Sequence, residues 1–333
     1  MKALVTGGGG FLGLAIVRQL LERQVSVRTL NRSAYPSLDA LPVEQHRGDI
    51  ADAAVVDAAV AGCDAVFHVA AKAGVWGSWS DYTRTNVAGT KHVIQACRQH
   101  EVAKLIYTSS PSVVHGGGDI EGSDESLAYP ARYKAPYPAT KARAEQLVLA
   151  ANSDSMATVS LRPHLIWGPG DNHLVPRIVS RARAGRLWQV GSAPRLIDTV
   201  YVDNAAEAHL LAYERLAPDQ PCAGRAYFIS QGEPVPSWKM INDIVAAAGL
   251  PPVTRRMPAW AAYTLGAVLE FVYGLLRRKA EPPMTRFLAR QLATAHWYDI
   301  SAARQDLGYT PRISIEEGLE RLSAHLRGEA ERV

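Results

Sequence analysis

Lys2-Ala3-Leu4-Val5-Thr6-Gly7-Gly8-Gly9-Gly10-Phe11-Leu12-Gly13 opens the 333-residue chain with an apolar run, a glycine turn and the start of a helical repeat. The run suits a buried strand, and from Phe11 to Arg23 apolar residues recur at helical spacing, so the order is strand, turn, helix. At such a turn glycine permits positive φ and close backbone approach, while free N–H groups at the helix start can hold a pyrophosphate. The glycines fall as Gly7-x-x-Gly10-x-x-Gly13, not in the commoner Gly-x-Gly-x-x-Gly order. Gly7, Gly10, Phe11, Leu12 and Gly13 are the first candidate dinucleotide contacts.

The next strand, Val25 to Ser33, ends about twenty residues on, where an acidic side chain would bind the ribose 2′-hydroxyl of NAD. Asn31 stands there instead, followed by Arg32 and Ser33. Nothing repels a 2′-phosphate and a planar guanidinium is available to bind it, so the cofactor expected is NADPH/NADP+.

Far downstream, Tyr137-Pro138-Ala139-Thr140-Lys141 places a phenol and an ammonium at i and i+4. On a helix such residues share a face, with Cβ atoms about 5–6 Å apart. Pro138 fits only near a helix start, which puts Tyr137 at the positive end. An ammonium and an oxidised nicotinamide ring would both favour the phenolate, so a lowered tyrosine pKa is expected. Tyr137 and Lys141 are the candidate acid–base pair. Before them, Leu105 to Val113 is a β-type run that breaks into hydroxyls at Thr108, Ser109, Ser110 and Ser112. Strand ends of this kind face ligands in open α/β sheets, and Ser110 is expected to polarise a substrate oxygen, with Ser109 and Ser112 as alternatives. An oxidoreductase is the reading that joins these motifs.

Several further stretches carry a family resemblance. They are His68-Val69-Ala70-Ala71, Asn86-Val87-Ala88-Gly89-Thr90, Leu161-Arg162-Pro163-His164-Leu165-Ile166-Trp167-Gly168, Tyr201-Val202-Asp203-Asn204-Ala205 and Leu307-Gly308-Tyr309-Thr310-Pro311. With them the chain resembles, nearly end to end, an extended short-chain dehydrogenase/reductase of the 3β-hydroxysteroid dehydrogenase type. The resemblance implies that Ala70, Ala71 and the adjacent Lys72 line the cofactor path, with Asp49 and Ile50 at the adenine, Thr108 at the strand end, and Pro163 and Ile166 near the nicotinamide. It implies that Asn86 braces the site and that Lys141 also grips the nicotinamide ribose. Trp167 departs from the tyrosine common in relatives. Asn31 to Pro36, Ala71 to Ser78, Ala135 to Tyr137, Pro282 to Leu288 and Ala295 to Tyr298 are similar to a branch that reduces the 3-keto group of long-chain 2-alkyl-3-oxoalkanoic acids in bacterial olefin biosynthesis. That likeness implies a long-chain β-keto acid substrate, a homodimer and a complex with a β-lactone-forming ligase. The competing readings are a sterol dehydrogenase, a nucleotide-sugar epimerase and a non-catalytic NADP-binding sensor or scaffold.

The fold expected is α/β, a Rossmann-type doubly wound parallel sheet with a smaller, mostly C-terminal substrate-binding lobe. The nucleotide domain spans 1–162, with 198–216 returning to it, and 163–333 supplies mainly the second lobe. An apolar content of 47% over this length suffices for a large core. Cys63, Cys97 and Cys222 are too few and scattered for a disulfide framework, and no metal is expected. A net charge of +4 without a long basic run interleaved with aromatics argues against nucleic acid. No leader pattern precedes the first strand, so a cytoplasmic location is expected. The segment from Met257 to Leu276 is apolar apart from Glu270 and a few polar positions, and it ends in Arg277-Arg278-Lys279. It reads either as a buried core helix or as a cover over an alkyl channel with a peripheral membrane contact, Glu270 opposing a membrane span. Candidates for a substrate carboxylate are Lys72, His115, Arg143 and His164.

Overall fold

The apolar run at the N-terminus becomes the middle of a parallel sheet. A computed structural model describes residues 1–74, 76–278 and 280–330. Its large sheet contains β1 (Lys2–Thr6), β2 (Ser26–Asn31), β3 (Val43–Arg47), β4 (Ala65–His68), β5 (Lys104–Thr108), β6 (Ala157–Pro163) and β7 (Arg225–Ile229). Their order is β7-β6-β5-β4-β1-β2-β3, every pairing parallel. Sequence order reverses between β1 and β4, and the crevice beyond that switch point is where such sheets bind ligands.

Both faces of the sheet are covered, which is why its central strands are apolar without alternation. On β1, Ala3 and Val5 join the core with Ile16 and Val17 of α1 (Phe11–Glu22), while Leu4 faces Val56, Ala59 and the inner side of α2 (Gly89–Gln99). The helix α3 (Pro136–Leu149) lies on the α2 side through Ala144 and Val148. The helix α4 (Leu174–Arg183) follows β6, and α5 (Val202–Arg215) packs along α1. The sheet also takes in β7, a strand that the sequence reading left unassigned.

A smaller sheet, ordered 235–236, 196–197, 296–298 and 120–123, sits above the carboxyl ends of β5 and β6. Beyond it, α6 (Ala259–Leu275) packs on α7 (Arg286–Ala293), with Gly266 so close that a Cβ there would come 2.6 Å from the Thr285 carbonyl carbon. Only Ala262 and Gly266 of α6 are fully buried, which corrects the core-helix alternative. No described helix is long and apolar enough to cross a membrane. Of the basic residues after α6, Arg277 and Arg278 are exposed, and Lys279 lies outside the described residues.

Candidate active site

The carboxyl ends of β1, β4, β5 and β6 open into one groove of about 800 Å³. Its nucleotide end is shaped by the glycine turn. Gly7 adopts φ +71°, and a Cβ there would sit 3.1 Å from the Ala70 backbone; at Gly13 a Cβ would overlap the Gly7 carbonyl oxygen. Side chains at either position would fill the cradle. The helix α1 starts after Gly10 without a side-chain cap, leaving its first N–H groups available to an anion. These residues fit a dinucleotide.

Polar side chains hold the cradle from below. Thr6 Oγ1 accepts from the Val69 and Ala70 N–H groups, both at 3.1 Å, and pairs with His68 Nδ1 at 2.8 Å. Thr90 donates to the Asn86 carbonyl, so at 3.0 Å it accepts from His68 Nε2 and fixes the neutral tautomer. Burial, with help from the Lys141 charge, pushes His68 down to about 3. Asn31 is buried and lines the groove, but its side-chain oxygen accepts from the Gly9 N–H at 2.9 Å. It therefore braces the glycine turn, a role the strand-end position alone does not reveal. Arg32 is exposed at the rim. Burial pushes Asp49 up, but the Ala51 N–H bond, the Arg84 ion pair at 2.9 Å and the Arg32 charge together hold its pKa below the usual value.

At the reaction end, Ala135 is the extended cap residue of α3 and Pro136 occupies its first turn, so Tyr137 does stand at the positive helix end. Lys141 follows one turn on and is 2% exposed. Its ammonium donates to the Thr108 carbonyl at 2.5 Å and lies 4.2 Å from the centre of the Tyr107 ring. Burial, only partly offset by Glu145, brings it down to about 7. The Ser110 hydroxyl hydrogen-bonds Tyr137 and accepts from Ser112, at 3.0 Å from its hydroxyl and 3.2 Å from its N–H. The Ser109 hydroxyl is buried with no hydrogen-bond partner among the described residues. Against expectation, the Tyr137 pKa is raised: burial dominates and the Ser110 bond offsets only part of it. The phenol keeps its proton, which suits a donor.

Two braces hold this arrangement. Asn86 accepts from the Lys72 N–H at 2.7 Å and donates to Thr140 at 3.1 Å, tying the loop after β4 to α3. Glu145, one turn beyond Lys141 and 0% exposed, accepts Arg162 Nη2 at 2.7 Å, Tyr129 at 2.7 Å and Ser160 at 2.8 Å. Tyr137, Lys141 and Glu145 thus run down one face of α3, with the last anchored to β6.

Of the residues expected along the cofactor path, Lys72 alone does not line the groove; its ammonium pairs with Asp81 at 3.2 Å. Among the carboxylate candidates, His115 and His164 line the groove, while Arg143 is exposed on α3. The sequence reading missed Tyr35, Arg177, Phe287, Gln291, His296 and Tyr298, which also line it. A second cavity of about 410 Å³ beneath α6 shares His115, Phe287 and Gln291 with the groove wall.

Residues 4–258 match the 3-beta hydroxysteroid dehydrogenase/isomerase family. The chain is 56% identical over 326 residues to the 2-alkyl-3-oxoalkanoate reductase of Stenotrophomonas maltophilia (strain K279a), covering 97% of this chain and 99% of that protein. It is 50% identical over 332 residues to the protein of the same name from Shewanella oneidensis, covering 97% and 86%. Its fold superposes on the Thermus thermophilus UDP-glucose 4-epimerase in complex with NAD with a TM-score of 0.73, at 26% identity and 98% and 99% coverage.

Proposed function

Since the chain belongs to the 3-beta hydroxysteroid dehydrogenase/isomerase family, we propose that it reduces the 3-keto group of a long-chain 2-alkyl-3-oxoalkanoic acid to the 3-hydroxy acid, with NADPH. The observation that carries this is the continuity of one groove from the glycine turn to the Ser110–Tyr137 pair. The substrate class is supported by the 56% identity to a reductase of that name over almost both full lengths. A nicotinamide cofactor is supported by the cradle at Gly7 and Gly13 and by the NAD-bound neighbour. NADPH in place of NADH is supported by Arg32 at the rim and by the uncharged Asn31.

When bound, the reduced nicotinamide supplies a hydride to C3. Ser110 donates a hydrogen bond to the ketone oxygen, where negative charge develops, and Ser112 donates to Ser110 and fixes its orientation. Tyr137 gives its phenolic proton to that oxygen, so ketone, hydride and proton balance to the alcohol. Lys141, one turn below, stabilises the phenolate left behind. Its position comes from the Thr108 carbonyl and the Tyr107 ring. The exposed face of α6 meets a membrane surface in this reading, beside the cavity that shares a wall with the groove.

The test is to mix the purified protein with NADPH and a racemic long-chain 2-alkyl-3-oxo acid and follow nicotinamide absorbance. Turnover is expected to favour long chains, and Tyr137→Phe to lower kcat by at least about a hundredfold while NADPH fluorescence still reports binding. A variant within about tenfold of wild type would remove Tyr137 from the proton step. Silence with the keto acid and activity on a 3-hydroxysteroid with NADP+ would keep the catalytic residues and replace the substrate.

A further inference from the structure

Three histidines from separate parts of the chain meet at the substrate end of the groove. His164 follows β6 and is 6% exposed; His296, on the strand 296–298, is 4% exposed. Their ring centres are 4.9 Å apart and edge-on, and His115, in the loop after Ser112, lies 6.2 Å from His296. All three line the groove that holds Tyr137 and Ser110.

The hydrogen bonds give the protonation pattern. His296 Nε2 lies 2.9 Å from the Gln291 carbonyl, which can only accept, so that nitrogen carries the hydrogen and Nδ1 of the neutral ring is a bare lone pair. The Nδ1 atoms of His296 and His164 are buried, with no hydrogen-bond partner among the described residues. Unmet polar atoms are costly to bury, so a proton taken up at either Nδ1 breaks no protein hydrogen bond and charges a ring on the groove wall.

We propose that His115, His164 and His296 receive the carboxylate of the substrate, and that one proton enters the cluster as the acid binds. This rests on the keto-acid reading above. Burial favours neutral imidazoles: His115 is pushed down to about 4, mainly by burial and then by His296, and His164 and His296 are lowered by the same dominant cause. Desolvating a lone carboxylate among neutral rings is unfavourable. A proton taken up on one ring puts a positive charge beside the carboxylate and cancels its charge. The groups facing the cluster are few. Asp119, which acts on His115 and His296, lies 3.7 Å from Arg195; Tyr298 packs on His164 at 5.3 Å and donates its N–H to Asp198 at 2.8 Å; Arg290 stands beside Gly117 of the His115 loop. Arg177, a cation on the groove wall, is already held by both oxygens of Glu281 at 3.1 and 2.7 Å, and Arg290 lies on the wall of the neighbouring cavity, so the proton comes from solvent.

Two measurements test this on the cofactor-bound protein, the first with NADPH and the second with NADP+. Calorimetric titration with the 2-alkyl-3-hydroxy acid, in buffers of different ionisation enthalpy, is expected to show uptake of about one proton per site, and the methyl ester none. In the oxidation direction, with NADP+, KM for the acid is expected to rise by up to about tenfold per unit between about pH 7 and pH 9, as loss of one bound proton requires, with KM for the ester flat. His296→Gln, and separately His164→Gln, should raise the acid KM at least about tenfold at pH 7 and leave the ester's unchanged. Turnover of the acid with no proton uptake and a flat KM overturns the histidine assignment and leaves the reductase reading intact. Turnover of neither acid nor ester overturns both.

Discussion

At the residue scale the site is a set of desolvated ionisable groups whose protons are placed by burial. Tyr137 is pushed up and Lys141 down to about 7, so near neutrality the phenol is protonated and the lysine is close to half charged. That suits a proton donor but opposes folding stability. An unfolded Lys141 binds its proton with the ordinary value of 10.5, whereas the folded one does so only near 7. The unfolded chain therefore binds more protons between these values, and this lysine's contribution to stability grows as pH rises from about 7 to 10.5. Lys141→Met should abolish efficient turnover and yet raise Tm by several degrees at pH 7, the gain closing as pH approaches 10.5. Melting both proteins across that range checks it; a gain that did not vary with pH would trace to packing instead of charge.

At the element scale β2 serves two purposes at one end. Asn31 grips the glycine turn through the Gly9 N–H, and the next residue, Arg32, reaches the groove rim. Arg32→Ala should weaken NADPH binding by about tenfold to a hundredfold, the range of one or two charge-assisted hydrogen bonds, and leave NADH affinity unchanged. Equal loss with both cofactors, measured by fluorescence titration, would show that Arg32 does not read the 2′-phosphate. The parts legible in the sequence are those set by spacing within one element: the glycine turn, the Tyr137 and Lys141 pair on α3, and the hydroxyls ending β5. Contacts between distant elements left no such trace. His296 and Gln291 reach the groove only because the strand 296–298 lies beside 196–197 and 120–123. Lys72 turns to Asp81, nine residues on, and the direction of the Tyr137 shift depends on burial that i, i+4 spacing does not encode. The missed strand β7 did carry a signal, since Ala226-Tyr227-Phe228-Ile229 is a short β-type run after Gly224, but such runs are ambiguous by periodicity.

At the scale of the whole molecule the surface is uneven, and the imbalance is concentrated on α6. Trp260 is 73% exposed, Phe271 71% and Leu275 73%, with Leu265, Val268, Val272 and Leu276 exposed along the same stripe. An apolar stripe this long on the outside of a protein marks a contact site. Arg255 and Arg256 precede the helix and Arg277 and Arg278 follow it, all exposed, so cations frame the stripe at both ends. That pattern complements an anionic bilayer surface better than it does a second copy, which would bring like charges together. The underside of α6 borders the cavity that shares His115, Phe287 and Gln291 with the groove wall. The protein should sediment with vesicles containing phosphatidylglycerol and far less with pure phosphatidylcholine, the arginines contributing about 1 kcal/mol each at low salt. Phe271→Glu together with Leu275→Glu should abolish sedimentation and spare kcat on a short, soluble keto acid. Sedimentation unchanged by these substitutions would remove α6 from the contact, and a wild-type mass that doubles with concentration and returns to monomer in the double variant would assign the stripe to self-association.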